Sequence, residues 1–492
     1  MARTHFLDLL RNGLFLLNYT GHAGPAGWTN EQILSVADVK SLTNQQLPLW
    51  VGATCDFLQF DIKSVSAGEQ VLLNPFGYAS QNFTINQLVC DNLFKKVNGN
   101  HYRIGDVIAL AKNNVGSQLN KLSYVYMGDP AVKMNYPTTH SIKTTHINNN
   151  IIEGKDTLRA MSVVNIKGFV SDLSGNLAEN FNGELHAVVY DKIQRITTMN
   201  NHSDGGISYN DRTNALFSGK AVVKNGEFSF TFMLPKDIKY NYGGGRIDYY
   251  AADSISNDEA QGYFENFIIG GTDTNVVYET EGPEMEIYLN SKEFISGDQV
   301  NESPLFVAKI KDQNGINRVG SGIGHDLLLT IDQDPTQSSI VNDYFSADAN
   351  SYTEGIVKYK LSDLTNGKHT LTFRAWDLLN NSSTKTIEFE VVEGLTPNIF
   401  SVYNYPNPAK VNTQIIVNHD RPETILYTTI EIIDLSGRSI WSFSQTNADN
   451  VSWDLIGNDG LKVKPGNYLY MVSIKTSDSD ISSKTNKFLL IE

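Results

Sequence analysis

Early in the chain, a histidine and a cysteine stand at matching places, each shortly after a short apolar run. His22 follows the run at residues 14–17, and Cys55 follows the run at residues 47–51. A cysteine nucleophile needs a base that holds it as the thiolate, and N–H donors for the oxyanion that forms on an attacked carbonyl. We predict that His22 is the base, that Cys55 is the nucleophile, and that the backbone N–H groups of Ala23 and Cys55 stabilise the oxyanion.

Two predicted strands must position this pair. The apolar runs at residues 14–17 and 47–51 are each followed by small or turn-forming residues, as in buried parallel strands. The segment between them, residues 29–41, begins with Thr-Asn-Glu-Gln and carries spaced apolar residues, which predicts a capped crossover helix. Side chains at the carboxyl ends of adjacent parallel strands meet at one sheet edge, so His22 and Cys55 can form a dyad.

The spacing of the two residues alone leaves a non-catalytic alternative open. In this alternative His22 is a turn histidine and Cys55 is a buried thiol at a strand end. The other cysteine, Cys90, lies in a helical pattern at residues 85–94, and we predict that it is a small buried core residue.

Composition limits the classes of function. The 492 residues suffice for three or four domains, and the net charge of −15 with no basic block argues against a nucleic-acid partner. Two cysteines cannot make a disulfide framework for a chain of this length. No apolar run reaches the roughly 18 residues of a membrane-spanning helix, and no signal peptide is expected at the amino terminus.

The pattern along the chain predicts one α/β part and three all-β parts. Residues 1–137 show helical patterns at 66–74, 85–96 and 102–119 and a last strand at 122–127, with too few strands for a complete doubly wound sheet. Alternating apolar and polar residues then predict β-sandwich domains of immunoglobulin-like type. Their predicted ranges are 138–273, 274–393 and 394–492.

No cofactor and no metal site is predicted. The β domains contain acidic and amide loop residues that could offer oxygen ligands to calcium, but in an acidic protein such residues are usually solvated. The residues considered are Asp312, Asn314, Asp326, Asp332 and Asp334.

Several segments together resemble the gingipain family of cysteine peptidases, and within it the sortases of the type IX secretion system. The segments are Tyr-Thr-Gly-His at 19–22, Leu-Pro-Leu-Trp-Val-Gly-Ala-Thr-Cys at 47–55, Leu-Leu-Asn-Pro at 72–75, and the segment 127–137. The last β domain also resembles the carboxy-terminal immunoglobulin-like modules of that system.

This resemblance implies a specific architecture and activity. The expected fold is an incomplete caspase-like α/β sandwich followed by three all-β immunoglobulin-like sandwich domains, matching the carboxy-terminal portion of such a sortase. The family's base and nucleophile carry over to His22 and Cys55, whereas its usual His-Gly-Gly is His-Ala-Gly here, with Ala23 keeping the N–H donor.

The resemblance also implies protein partners and a location. The expected substrates are sorting domains of secreted cargo proteins. They would be cleaved through a thioester intermediate, which water or an amine then attacks. The expected partners include other outer-membrane proteins of the secretion system. The expected location is the cell surface, the outer membrane or the extracellular space.

Two non-peptidase functions remain open. The tandem β domains could make the chain a non-catalytic surface binding or adhesion module. It could also be a secreted cargo protein whose last β domain is a sorting signal.

Overall fold

The computed structural model describes most of the chain. The described residues are 3, 6–7, 9–10, 13–24, 26–28, 33–42, 48–54, 79–115, 126, 128–134, 136, 139–198, 206–276, 279–318, 324–362 and 364–491. The chain divides into two units, Met1–Tyr136 and Pro137–Glu492.

The amino-terminal unit contains α-helices and short strands. Its helices are α1 (Val36–Ser41), α2 (Ala79–Leu93) and α3 (Ile104–Asn114). Its strands are β1 (Leu16–Thr20), β2 (Ala23–Gly24), β3 (Gly27–Trp28), β4 (Leu34–Ser35), β5 (Leu49–Ala53), β6 (Lys96–Val97) and β7 (Asn100–His101).

The predicted parallel strands are confirmed as β1 and β5. They pair in register from Leu16 opposite Leu49 to Thr20 opposite Ala53. Alternation along the strand sends Leu17 into a hydrophobic cluster with Trp28, while Leu16 packs on the opposite side against the cluster of α2 and α3. Apolar groups therefore cover both faces of this pair, as in an α/β sandwich.

The crossover helix begins later than the sequence pattern suggested. The proposed cap at residues 29–32 lies outside the described residues, and α1 begins at Val36 after Ser35. The Ser35 side chain accepts a hydrogen bond from the Asp38 N–H, and the Asp38 carboxylate accepts one from the Ser35 N–H, which is a capping box. Arg3 adds a 2.6 Å ion pair to Asp38.

Two other predicted helices are present with different bounds. α2 starts before the predicted residue 85, and α3 ends before the predicted residue 119. Along α3 the buried residues Ile104, Val107 and Ala111 lie on one face, at helical spacing. The predicted helix at 66–74 lies outside the described residues, as does the predicted strand at 122–127 except for Tyr126.

The second unit is all-β and begins with a large sheet. The strands of this part are β8 (His140–Ile147), β9 (Asn150–Ile151), β10 (Asp156–Ala160), β11 (Val163–Ser171), β12 (Gly183–Tyr190), β13 (Gln194–Thr197), β14 (Ser208–Asp211), β15 (Ala215–Lys224), β16 (Glu227–Met233), β17 (Gly243–Gly244), β18 (Arg246–Asp253), β19 (Asp258–Phe264) and β20 (Phe267–Thr272). The large sheet has the order β11-β16-β15-β12-β18-β19-β8-β9, and β11 also pairs with β8, so the strands close around a hydrophobic core.

The next part is a two-sheet sandwich with its own core. The strands are β21 (Glu284–Leu289), β22 (Gln299–Val300), β23 (Leu305–Lys311), β24 (Leu328–Ile331), β25 (Ser338–Ile340), β26 (Phe345–Ala347), β27 (Glu354–Lys360), β28 (Gly367–Trp376) and β29 (Ser382–Val391). The two sheets have the orders β21-β23-β27-β26 and β22-β29-β28-β24-β25.

The last part is a second two-sheet sandwich around Trp453 and Tyr470. The strands are β30 (Ile399–Tyr405), β31 (Thr413–His419), β32 (Tyr427–Asp434), β33 (Ser439–Thr446), β34 (Asn450–Trp453), β35 (Gly466–Lys475) and β36 (Ser482–Leu490). The two sheets have the orders β30-β31-β34 and β33-β32-β35-β36. The predicted class, an α/β part followed by β-sandwich domains, is confirmed.

Candidate active site

Strands β1 and β5 end level with each other, and in the sequence each is followed by one of the two predicted catalytic residues. Thr20 and Ala53 are the last register pair, and both strands end there. His22 comes two residues after Thr20 in the sequence, and Cys55 comes two residues after Ala53. Cys55 itself lies outside the described residues, so its role stays a prediction.

His22 is exposed at the turn that follows β1. The Tyr19 hydroxyl donates a 2.7 Å hydrogen bond to the backbone carbonyl of His22. This bond holds the backbone of the turn and leaves the imidazole at the surface, where a base must be to meet a substrate.

An aromatic cluster supports the turn from below. The Tyr19 ring stacks on Trp28, with ring centroids 4.2 Å apart and an interplanar angle of 9°. The Trp28 side chain is buried and also packs against Trp50 of β5 and against Phe6. Stacked rings have few rotamers and large contact areas, so this cluster gives the turn a rigid base.

Ala23 occupies a strand position that alanine fills without strain. It lies in β2 opposite Trp28 of β3, and it is not among the residues with positive φ. The difference from the family's His-Gly-Gly therefore imposes no backbone penalty at this position. Its predicted role as an oxyanion donor stays a prediction.

Gly27 is the position in this small sheet that requires glycine. Its φ is +146°, and a Cβ there would overlap the carbonyl oxygen of Leu34 on the neighbouring strand β4. The close approach of two backbones at Gly27 fixes the β2-β3-β4 sheet under the His22 turn.

Helix α2 makes polar contacts with β1 that the sequence pattern did not indicate. The Asn86 amide donates a 2.8 Å hydrogen bond to the Thr20 hydroxyl, and the Asn18 amide donates one of 3.4 Å to the Cys90 sulfur. Cys90 is therefore half-buried at a polar contact, and the prediction of a buried core residue was wrong. Burial, followed by the charge of Asp91, raises the pKa of the Cys90 thiol.

A second cluster of ionisable groups lies in the all-β unit. Carboxylate oxygens of Glu279, Asp312 and Asp377 lie within 4.8 Å of one another, and carboxylates are ligands that divalent cations accept. Only Asp312 was among the residues considered from the sequence. The partners were missed because they lie far away in the chain.

The pKa values of two carboxyl groups in this cluster are strongly raised. Burial is the main cause that raises the pKa of Asp312 to about 6 and that of Asp377 to about 7. The nearby Glu279 carboxylate further raises the pKa of Asp377, because it favours a shared proton.

The other acidic residues considered from the sequence have separate structural contacts. Asp326 accepts a hydrogen bond from the Asn342 amide, and Asp332 contacts the His369 ring at 2.7 Å. Asp334 accepts the Thr336 N–H at the start of a short 3-10 helix. The structure does not gather these residues with Asp312 into one site.

Comparison with known proteins shows which family the amino-terminal unit resembles. Residues 1–135 match the model of peptidase family C25. This part of the chain is similar to that family of cysteine peptidases, and the resemblance to gingipain-type peptidases is confirmed.

Solved structures add individual proteins to which the chain is similar. Dimeric latent PorU from Porphyromonas gingivalis is 30% identical with a TM-score of 0.38, and the match covers 81% of this chain and 38% of the PorU chain. The Arg-specific cysteine proteinase gingipain R is 16% identical with a TM-score of 0.25, over 53% of this chain and 56% of that chain. This chain thus spans 38% of the length of the PorU chain. No curated protein matches it.

Among the described residues, every helix is too short or too polar to cross a membrane.

Proposed function

We propose that this chain is a cysteine endopeptidase that uses Cys55 as nucleophile and His22 as base. The observation that carries the proposal is the parallel register of β1 and β5, which ends with Thr20 opposite Ala53. Both proposed catalytic residues follow that last pair by equal steps along the sequence. Neighbouring strands lie roughly 4.8 Å apart, a separation that suits a cysteine and a histidine acting together.

The proposed reaction has two stages. The His22 imidazole takes the Cys55 thiol proton, and the thiolate attacks the carbonyl carbon of the scissile peptide. The carbonyl oxygen becomes an oxyanion that accepts hydrogen bonds from the N–H groups of Ala23 and Cys55. When the C–N bond breaks, the amine leaves with the proton from the imidazolium, and a thioester remains. Water, or an amine acceptor, then attacks the thioester and regenerates the thiol.

We extend the proposal to substrate class and location on the basis of the sequence resemblance. The substrates would be sorting domains of proteins exported by a type IX secretion system, and the setting would be the cell surface or outer membrane alongside other proteins of that system. The β domains would then hold the peptidase near its cargo.

A peptidase assay tests the activity. The purified chain is incubated with casein, an unstructured protein that offers many peptide bonds, and cleavage is followed by mass spectrometry. We expect Cys55→Ala to abolish cleavage and His22→Ala to slow it about 10²- to 10⁴-fold, because the proton transfer is lost.

Cys90→Ser is the matched control, because Cys90 is the other cysteine and its sulfur accepts a hydrogen bond from Asn18 on β1. It should cleave casein like the wild type. Cleavage that survives Cys55→Ala would contradict the proposed nucleophile. A wild-type chain that cuts nothing would contradict the proposal that this chain is itself active, and would favour the binding-module alternative.

A further inference from the structure

Two turns in the amino-terminal unit are closed in the same way. In residues 19–22 the Tyr19 hydroxyl donates to the His22 carbonyl at 2.7 Å, and in residues 126–129 the Tyr126 hydroxyl donates to the Asp129 carbonyl at 3.0 Å. Both have the sequence Tyr-x-Gly-x. This shared closure lets one turn serve as a control for the other.

The glycine in each turn makes room for the tyrosine. A Cβ on Gly21 would lie 2.7 Å from the Tyr19 hydroxyl oxygen, and a Cβ on Gly128 would lie 3.1 Å from that of Tyr126. Gly21 is not at positive φ, so the close approach of the hydroxyl is the reason for glycine there.

The hydrogen bond at Tyr19 has a consequence for the next residue. The carbonyl of His22 and the N–H of Ala23 belong to one peptide group, which is planar, and this bond is not among the cis peptides of the chain. In a trans peptide the C=O and the N–H point in opposite directions. A hydroxyl that holds the His22 oxygen therefore also sets the direction of the Ala23 N–H.

The Tyr19 ring is itself held in place. It stacks on Trp28, and Trp28 is buried and lies opposite Ala23 in the β2–β3 pair. The hydroxyl thus reaches the His22 carbonyl from a ring that is packed against the strand partner of Ala23. Donation to the carbonyl also polarises the peptide group and strengthens its N–H as a donor.

We propose that Tyr19 is a positioning residue for the oxyanion site: its hydroxyl, through the His22 carbonyl, aims the Ala23 N–H at the developing oxyanion. This inference rests on the proposed peptidase function. It assigns Tyr19 no contact with the substrate, and it separates two tasks of the turn, namely proton transfer by the His22 imidazole and charge stabilisation by the Ala23 N–H.

The separation can be measured because two reactions of Cys55 differ in their need for an oxyanion site. Peptide cleavage passes through an oxyanion, whereas alkylation by iodoacetamide displaces iodide at a saturated carbon and forms none. Tyr19→Phe keeps the ring stack and removes the hydroxyl. We expect this variant to cleave casein about 10- to 100-fold more slowly, below the effect of losing a whole oxyanion donor, and to alkylate at the wild-type rate with the wild-type pH profile.

Tyr126→Phe is the matched control, because it removes the same kind of hydroxyl–carbonyl bond from the other turn. It should leave cleavage and alkylation unchanged, and thermal unfolding should show that both variants are folded. Wild-type cleavage by Tyr19→Phe would overturn the inference while leaving the peptidase proposal intact. Equal losses of cleavage and alkylation would also overturn it, because they would mean that Tyr19 positions the His22 imidazole or stabilises the fold. Failure of the peptidase proposal would be seen separately, because the wild type would then neither cleave casein nor alkylate Cys55 faster than His22→Ala does.

Discussion

Thr20 and Ala53 face each other at the final register pair of the parallel strands β1 and β5. This relationship sets the level at which both strands leave the sheet. Because the same number of residues separates each from its proposed catalytic residue, a histidine base and a cysteine nucleophile can be presented from one edge. The predictions below test this arrangement and the parts of the fold that support it.

The first prediction concerns the small sheet beneath the His22 turn. Gly27→Ala should destabilise the protein by about 2 kcal/mol or more, because the new Cβ would overlap the Leu34 carbonyl and φ is positive. Cleavage of casein should fall with it. The measurement is chemical unfolding followed by tryptophan fluorescence, since Trp28 is adjacent.

Gly24→Ala is the control for this substitution. Gly24 lies opposite Gly27 in the same β2–β3 pair, and a Cβ there would meet no atom within 4 Å. Its unfolding free energy should stay within about 0.5 kcal/mol of the wild type. Equal effects of the two alanines would mean that the backbones at residues 27 and 34 do not approach as described.

The second prediction concerns pH. The pKa of Asp377 is raised to about 7, so between about pH 4 and pH 7 the folded state keeps a proton that the unfolded state has released. The unfolding free energy should therefore fall as pH rises through this window. Asp377→Asn should reduce that fall between pH 5 and 8, because asparagine does not ionise but keeps an oxygen acceptor for the Leu379 and Asn381 N–H groups.

This pH measurement needs a chelator, so that no divalent cation competes for the carboxylates, and it has a control in Asp334→Asn. Hydrogen bonds from Thr336 lower the pKa of Asp334, so its titration falls below the window. That variant should keep the wild-type pH slope. A wild-type slope in Asp377→Asn would show that Asp377 is already ionised at pH 5.

The third prediction concerns the segment that enters the last domain. The Arg421 side chain is only 1% exposed, pairs with Asp420 at 2.8 Å and donates to the Leu395 carbonyl at 2.8 Å. Arg421→Met should destabilise this domain by about 3 kcal/mol, because it leaves a partly buried carbonyl and a partly buried carboxylate without the buried cation that contacts both. Differential scanning calorimetry would show it as a lower melting temperature of one transition.

Arg438→Met is the control here. The Arg438 side chain is 76% exposed and pairs with Asp434 at the surface, where ion pairs contribute little. Its melting temperature should match that of the wild type. If the two methionine variants melted alike, the buried contacts of Arg421 would not hold the segment.

Much of the fold could be predicted from periodicity. The alternation that predicts the β-sandwich domains is observed, for example, in β11 and β16, because one face of each strand packs on a core. The two short apolar runs likewise gave the parallel pair. These patterns are local, and the burial that causes them repeats along each element.

Helix boundaries and contacts between side chains were harder to predict. The Thr-Asn-Glu-Gln sequence predicts a helix start at residues 29–32, outside the described residues, whereas the described helix α1 begins at Val36 with a capping box of Ser35 and Asp38. Cys90 is next to Val89 in sequence, but a turn of about 100° per residue moves it off the buried stripe and towards Asn18. Local composition does not reveal which neighbours a side chain meets.

The candidate site divides in the same way. His22 could be singled out from residue type and spacing, whereas the Tyr19 hydroxyl bond and the Trp28 stack depend on how the turn folds back. The carboxylate cluster brings Glu279 together with residues from two other loops, so no sequence motif predicts it. Contacts between distant segments need the three-dimensional structure.

The most direct test of the central claim is the rate at which iodoacetamide alkylates Cys55 between pH 5 and 9, with Cys90 read separately by mass spectrometry. If His22 activates Cys55, alkylation should persist below the usual thiol pKa of about 8.5, and His22→Ala should slow it roughly 10- to 100-fold near pH 6. Cys90 should react slowly in both, because burial raises the pKa of its thiol. A Cys55 rate that follows an ordinary thiol titration and ignores His22→Ala would contradict the dyad.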